Sequence, residues 1–290
     1  MDIIINADII SIPDGAVQIP QQANFYHNIL TCLDTPYAYL RQTVPKADEA
    51  SYPPIATLLS RYHGLKGDWL IMSPLHWEAT HNDAMITALG YELQLSNQES
   101  QQWFDVLSDF LAPLHYTLYY HDAYTWLIQC PNQPRITAKP ICKLLHQSIM
   151  PELKSLDDTL FWQRFITETQ MFLGSHPLNK ARKGLHPING VWVWGGGPLG
   201  MPVQTPLVCN HPNLLQLGTL LSTHVIHGPV PQKPAKNSVL LFNELSQSDR
   251  LLLQDQLQSY TVRWYWNNMA YLTKRKRWWS RVIGVIKHDD

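Results

Sequence analysis

The sequence is poor in charge and lacks the segments that mark membrane or secreted proteins. Only 16% of its 290 residues are charged and the net charge is −1, so no overall field attracts nucleic acid or an acidic surface. No apolar run approaches the ~20 residues that cross a membrane. The first residues, MDIIINADII, lack the basic segment that opens a signal peptide. These absences predict a cytoplasmic protein with no membrane span and no nucleic-acid partner.

Standard cofactor and nucleophile motifs are also missing. The four cysteines lie far apart with no CxxC pair, which favours free thiols over a disulfide framework or a zinc site. The chain has no GxxxxGK[ST] or GxGxxG pattern for phosphates, and no GxSxG turn around a nucleophilic serine. We therefore predict no cofactor.

Apolar and aromatic residues are abundant. Hydrophobic residues make up 45% of the chain, which has 11 tryptophans and 21 prolines, and this predicts a packed interior. Residue spacing predicts a strand that Pro74 ends, a helix over 97–114, a hairpin over 116–130 and a helix over 155–174 that Ser155 caps.

After Gly197 the pattern changes to alternating strands and helices, which is typical of a partly parallel layer. The whole order predicts an α/β fold, or α+β, with a mixed sheet and flanking helices. We expect one compact unit over 1–290, or two intimate lobes over 1–150 and 151–290.

The run NGVWVWGGG, residues 189–197, is the most unusual stretch in the chain. Trp192 and Trp194 share one face of a predicted strand whose other face carries valines, which suggests burial on both sides, as in a central strand. Gly195, Gly196 and Gly197 then allow positive φ and close backbone approach. Two interpretations stay open: a core strand ending in a tight turn, or the wall and floor of a small-ligand pocket.

The segment before this run carries polar residues suited to a binding site. Glu168 falls at the edge of the apolar face of its helix, where it can orient a ligand, act as a base, or pair with Arg182. An ordinary surface pair with Arg164, four residues earlier, explains it equally. Arg182 is the natural anion contact because guanidinium binds oxyanions in a bidentate way. The loop that leads into the strand adds His176, Asn179 and Asn189.

Two further clusters carry residue types with a chemical use. The stretch PLHWEATHNDA contains His76, Glu78, His81 and Asp83, but their spacing matches no metal motif and 13 histidines make chance clusters common. We predict no metal site there, although convergence of the four in the fold stays open. The basic aromatic segment KRKRWWSR suits an anionic partner, or a terminal helix whose tryptophans pack on the body.

The segment 168–197 resembles a family of uncharacterised bacterial proteins labelled cofactor-independent phosphoglycerate mutase-like. The shared pattern is Glu-x-Gln-Met, then His-Pro-x-Asn-x-x-Arg, then Asn-x-x-Trp-x-Trp-Gly-Gly-Gly, here running from Glu168 to Gly197. A second segment, GDWLIMSPLHW, matches at Pro74 and His76, whereas Ile71 and Ser73 stand where the family usually has Arg and Asp.

The family label implies two divalent metals held by several Asp and His beside a Ser nucleophile. No set of residues in this sequence supplies those ligands, so the resemblance implies a piece of fold and a relative without the metal site.

We expect a protein that binds a small anion or phosphorylated metabolite, or a regulatory protein, without metal-dependent phosphotransfer. The expected ligand contacts are Glu168, His176, Asn179, Arg182, Asn189, Trp192, Trp194, Gly195, Gly196 and Gly197. The alternatives are a mutase-like or phosphatase-like metalloenzyme and an interaction module that uses the basic tail. Enzymatic activity stays open, with a non-catalytic protein preferred and no catalytic residue assigned.

Overall fold

The computed structural model describes residues 1–5, 12–20, 24–33, 52–79, 83–210, 212–228, 234–242, 246–266 and 269–275. Contacts divide the chain into two compact units. The first, here the parallel unit, contains the described residues of Met1–Thr31 and Gly200–Asp290, and the second, the antiparallel unit, those of Cys32–Gln42 and Ser51–Leu199. One unit is thus assembled from both ends of the chain, and residue 150 lies inside the other.

The parallel unit contains a seven-stranded sheet. Its strands are β1 Asp2–Ile5, β2 Val17–Ile19, β8 Leu207–Cys209, β9 Val225–His227, β10 Val239–Phe242, β11 Val262–Trp266 and β12 Met269–Thr273. In the order β2-β12-β11-β1-β10-β8-β9, the strands from β11 to β9 run parallel to one another, whereas β12 pairs antiparallel with both β11 and β2. The sheet is mixed, as the alternation after Gly197 predicts.

Both faces of this sheet are covered. Ile3 and Ile5 pack in one apolar cluster with Leu253 of helix α7 (Gln247–Gln256). Ile4 points to the other cluster, which includes Leu30 of α1 (Phe25–Leu33), and α6 (Pro212–Thr219) also packs on that side through Gly218. The three consecutive isoleucines of β1 are buried because successive side chains enter opposite cores.

The antiparallel unit contains a five-stranded sheet. Its strands are β3 Leu70–Ala79, β4 Ala84–Leu89, β5 Thr117–Asp122, β6 Thr125–Gln129 and β7 Gly190–Trp194. Its helices are α2 Ile55–Tyr62, α3 Asn97–Leu111, α4 Met150–Lys154 and α5 Phe161–Ser175. Together the two sheets and their flanking helices form an α/β fold, which confirms the predicted class.

Strand β3 organises this sheet because it pairs along both edges. One edge pairs with β7 over residues 71–75, and the other pairs with β6 over 70–72 and with β4 over 75–79. The prediction that Pro74 ends the strand is wrong. The Leu75 carbonyl faces β7, where it accepts from the Asn189 amide at 3.3 Å, so Pro74 faces the opposite edge, in the gap between β6 and β4. Its missing N–H is not needed there.

The predicted helix starts differ in one detail. Helix α3 begins as its sequence indicates, with the Ser96 hydroxyl accepting from the Glu99 amide at 3.1 Å. Helix α5 begins at Phe161, and the Asp157 carboxylate, not Ser155, accepts from the Phe161 and Trp162 amides. Burial raises the pKa of Asp157, but hydrogen bonds from the Thr159 hydroxyl and from the amides of Trp162, Thr159 and Phe161 outweigh it and hold the pKa below its usual value. Among the described helices, none combines the length and apolar content needed to cross a membrane.

Candidate functional site

The ten residues predicted as ligand contacts lie on α5, on the loop after it, on β7 and in the turn that follows. Glu168 is separate from the rest, because it lies on the exposed face of α5. Among the described contacts, no ion pair joins it to Arg164 or Arg182. Its charge acts on Tyr116 instead: burial, then Cys130, then Glu168 raises the pKa of that phenol.

Arg182 is buried, with 4% of its surface exposed. Its Nε donates to the His186 carbonyl at 2.8 Å, one terminal nitrogen bonds Glu99 in an ion pair, and the other donates to the Leu93 carbonyl. The guanidinium therefore ties the loop after α5 to the segment that precedes α3. These partners occupy the bidentate face that an anion would need.

Two asparagines of the predicted set replace missing backbone pairs. Asn179 accepts from the Ile188 amide at 2.9 Å and donates to the carbonyls of Leu173 and Ile188. Asn189 accepts from the Trp77 amide at 2.9 Å and donates to the Trp77 carbonyl at 2.8 Å. Trp77 lies two residues beyond Leu75 on the edge of β3 that faces β7, so the Asn189 side chain extends the pairing past the first residue of β7.

The two tryptophans of β7 are core residues with satisfied indoles. Trp192 donates to the Lys139 carbonyl at 2.9 Å and Trp194 to the Ser73 hydroxyl at 3.1 Å. Every residue of β7 is buried, as the alternation predicts, although among the described strands it pairs with β3 alone and is not central. His176 is half-buried, and its ring lies against Trp103 and Phe172.

The glycine run contacts the first turn of α2 through its carbonyls. The Gly195 carbonyl accepts from the Ala56 amide at 2.9 Å, and the Gly197 carbonyl accepts from the Thr57 hydroxyl at 2.6 Å. Helix α2 has no side-chain cap, so the Gly195 carbonyl satisfies one of the amides of its first turn. A Cβ on Gly195, which has a φ of +79°, would lie 3.2 Å from Ile71, and one on Gly196 would collide with Leu70.

Most of the predicted ligand contacts therefore form hydrogen bonds with other segments of this chain. Carbonyls, rather than the amides that a phosphate cradle presents, are the groups that the glycine turn uses in these contacts. The role of these residues as ligand contacts stays a prediction.

The histidine-rich stretch of β3 is only partly convergent. His76 Nε2 lies 3.7 Å from the Glu78 carboxylate, and its ring lies 5.2 Å from that of His186. Burial, then the charge of His186, lowers the pKa of His76. Asp83 bonds the Ala84 amide and the Ser148 hydroxyl, and His81 lies outside the described residues. Among the side chains that the structure describes, no three His, Cys, Asp or Glu are placed to hold a metal ion.

The basic aromatic segment falls almost entirely outside the described residues. Strand β12 ends at Thr273, and Lys274 and Arg275 follow it in exposed positions. The structure describes nothing beyond Arg275, so the proposed roles of this segment remain predictions.

A cavity of about 30 Å³ lies between α2 and the antiparallel sheet. Its apolar wall includes Leu59, Ile71 and Trp194, and its polar wall includes Ser73, His121, Asp122, Tyr124 and Cys142. Ser73 is 5% exposed and accepts from Trp194, so its own O–H can donate into the cavity. The volume corresponds to about two water molecules.

Three hydrogen-bonded side chains and a carboxylate form a chain whose last two members, His121 and Asp122, line this cavity. The Tyr119 hydroxyl lies 3.2 Å from His63 Nδ1, and His63 Nε2 lies 2.8 Å from His121 Nδ1. His121 Nε2 then lies 3.6 Å from the Asp122 carboxylate, which also accepts from the Tyr124 amide at 2.8 Å. His63 caps the C-terminus of α2, and the other three lie on β5. Helix α2 and the β5–β6 hairpin together position this chain.

The carboxylate sets the direction of these hydrogen bonds in the neutral state. Asp122 only accepts, so it favours a proton on His121 Nε2. Nδ1 of His121 then accepts from His63 Nε2–H, and Nδ1 of His63 accepts from Tyr119. Burial, then the charge of His121, lowers the pKa of His63. A proton on one ring therefore disfavours a second proton on the other.

The hairpin predicted over 116–130 contains His121 and Asp122, but the sequence does not predict this chain. Its two histidines are 58 residues apart, and no local spacing joins them. The sequence signal is limited to a histidine just after α2 and the Tyr-x-His-Asp order in β5, which is too short to predict the pairing.

No protein-family model and no curated protein match this chain. Among solved structures, the chain is similar to the cofactor-independent phosphoglycerate mutase from Thermoplasma acidophilum DSM 1728. The alignment covers 93% of this chain and 88% of that chain, with 16% sequence identity and a TM-score of 0.36. This structural neighbour is a mutase of the kind named in the label of the family that segment 168–197 resembles. At this identity and TM-score, the match says nothing about site residues or activity.

Proposed function

We propose that the antiparallel unit binds a small polar ligand of a few non-hydrogen atoms in the cavity between α2 and the sheet. The observation that supports this is the convergence of donors from separate segments, Ser73 of β3 and His121 of β5, on a cavity with an apolar wall. Ligand sites have this composition: apolar surface with a few placed polar groups.

The size of the cavity selects the ligand class. Space for about two waters accommodates a small oxyanion such as formate or bicarbonate, whereas a phosphorylated metabolite is several times larger. A small anion is the class that the sequence predicts, and this cavity supplies hydroxyl and imidazole donors for it. A ligand with three non-hydrogen atoms gains at most about −4.5 kcal/mol, so formate is expected to bind with a Kd no tighter than about 0.5 mM.

Nuclear magnetic resonance of the Trp194 indole N–H tests the proposal, because this group bonds Ser73 at the cavity wall. We expect formate, acetate or bicarbonate to shift this resonance saturably, with assignment by Trp194→Phe. Ser73→Ala should weaken binding several-fold, whereas Ser175→Ala, at the exposed end of α5, should leave it unchanged. The proposal fails if none of the three anions shifts the resonance up to about 50 mM, a range that covers millimolar affinity.

A further inference from the structure

We propose that the cavity takes up its anion together with one proton, which His121 holds as an imidazolium facing the ligand. The proposal rests on the proposed function and deepens it, because it names the ligand as the conjugate base of a small weak acid. It is carried by the geometry of the chain formed by Tyr119, His63, His121 and Asp122.

The cavity has no fixed positive charge among its described polar wall residues. An anion bound there lies beside the Asp122 carboxylate, and the two negative charges repel. One added proton on His121 removes this repulsion, because the imidazolium lies 3.6 Å from Asp122 and borders the cavity. Anion binding and protonation of His121 therefore favour each other, and linkage makes this coupling reciprocal.

His63 and Tyr119 give the proton a place and a path. A proton from solvent reaches His63 Nδ1 as the Tyr119 hydroxyl turns to accept, and the proton on His63 Nε2 passes to His121 Nδ1. One proton enters and both hydrogen bonds reverse direction. The product is neutral His63, which now accepts from His121 Nδ1–H, and an imidazolium whose Nε2–H faces the anion.

The geometry leaves Nε2 of His121 available for this role. Its 3.6 Å separation from Asp122 is an ionic contact rather than a hydrogen bond, so the N–H can turn its donation to a ligand oxygen. The other titratable groups that face the pair are Tyr62, which packs edge-on against both rings, and Tyr124, Cys32 and Cys142 at the cavity. None of these is cationic in either protonation state, so they do not replace the imidazolium.

Titration calorimetry with sodium formate tests this inference in buffers of different ionisation enthalpy. We expect uptake of about one proton per formate, and an affinity that falls as the pH rises, by up to about tenfold per pH unit. His121→Gln keeps a donor but cannot be charged, so binding should weaken about tenfold and lose its pH dependence. His115→Gln, an exposed histidine on the turn before β5, is the matched control.

Two substitutions of His63 test its role as the hydrogen-bond partner of His121. His63→Gln retains an acceptor for His121 Nδ1–H and should keep the proton uptake, whereas His63→Phe retains a ring without an acceptor and should lose most of it. If formate binds without proton uptake, or if His121→Gln keeps the wild-type pH profile, this inference is overturned and the proposed function stands. If no anion of the set binds, both fail.

Discussion

The buried guanidinium of Arg182 offers a direct test of whether the motif segment is a structural network or a ligand site. Replacing it by methionine fills much of the same volume but leaves the carbonyls of His186 and Leu93 without a donor and Glu99 without its ion partner. Breaking a buried ion pair on one side costs about 3–5 kcal/mol. Because Glu99 is partly exposed and water can solvate it, we expect the lower half of that range.

Chemical denaturation and thermal unfolding of Arg182→Met measure this loss. For a unit of this size each kcal/mol corresponds to about 2–4 °C, so the transition that involves the antiparallel unit should fall by roughly 6–16 °C. Arg164→Met is the control, because Arg164 lies on the exposed face of α5, and it should change stability by less than about 0.5 kcal/mol. Wild-type stability of Arg182→Met combined with weaker anion binding would refute the structural role and favour the ligand contact.

Other positions extend the same test. Gly195→Ala should destabilise the chain by about 1–3 kcal/mol, and by more than Gly184→Ala, since both have φ near +80° but only Gly195 faces close neighbours; equal losses in denaturant titrations would remove the packing argument. Asn189→Ala should cost about 1–3 kcal/mol and speed exchange of the Trp77 amide, and unchanged exchange there would contradict its pairing role. Stability should fall as the pH drops below 6.5. In that range the unfolded chain protonates His63 and His76, whereas their lowered pKa values keep both neutral in the folded protein. Urea unfolding from pH 7.5 to 5.5 measures this loss, and a rise in stability over that range would contradict it.

Local sequence patterns predict the helices and strands of this fold better than they predict which strands pair. Alternation of strand and helix after Gly197 indicates the parallel layer, and the alternating bulk of β7 indicates burial on both faces. Pairing of β1 with β10 and β11 has no local signature, because three isoleucines suit any doubly covered strand. Without such a signature the sequence suggests two lobes that divide near residue 150. The contacts instead place both ends of the chain in one unit.

The candidate site shows the same limit for polar residues. Arginine and asparagine in one loop have the donors of an anion site, and the same donors equally satisfy carbonyls of the chain itself. What distinguishes the two is the location of Leu93 and Glu99, more than 80 residues from Arg182 in sequence. His63 and His121 are the converse case, since each is unremarkable in its own segment and they meet only through the fold.

The central position of β1 has a consequence for synthesis of the chain. Asp2 pairs with Val239, so the first strand leaves the ribosome about 240 residues before its neighbour exists. At about 5–20 residues per second this delay lasts roughly 10–50 s, while the antiparallel strands, which lie closer together in sequence, are already complete. Throughout that interval the nascent chain carries a triple-isoleucine segment without its β10 and β11 partners, and unpaired apolar strands of this kind are prone to aggregate.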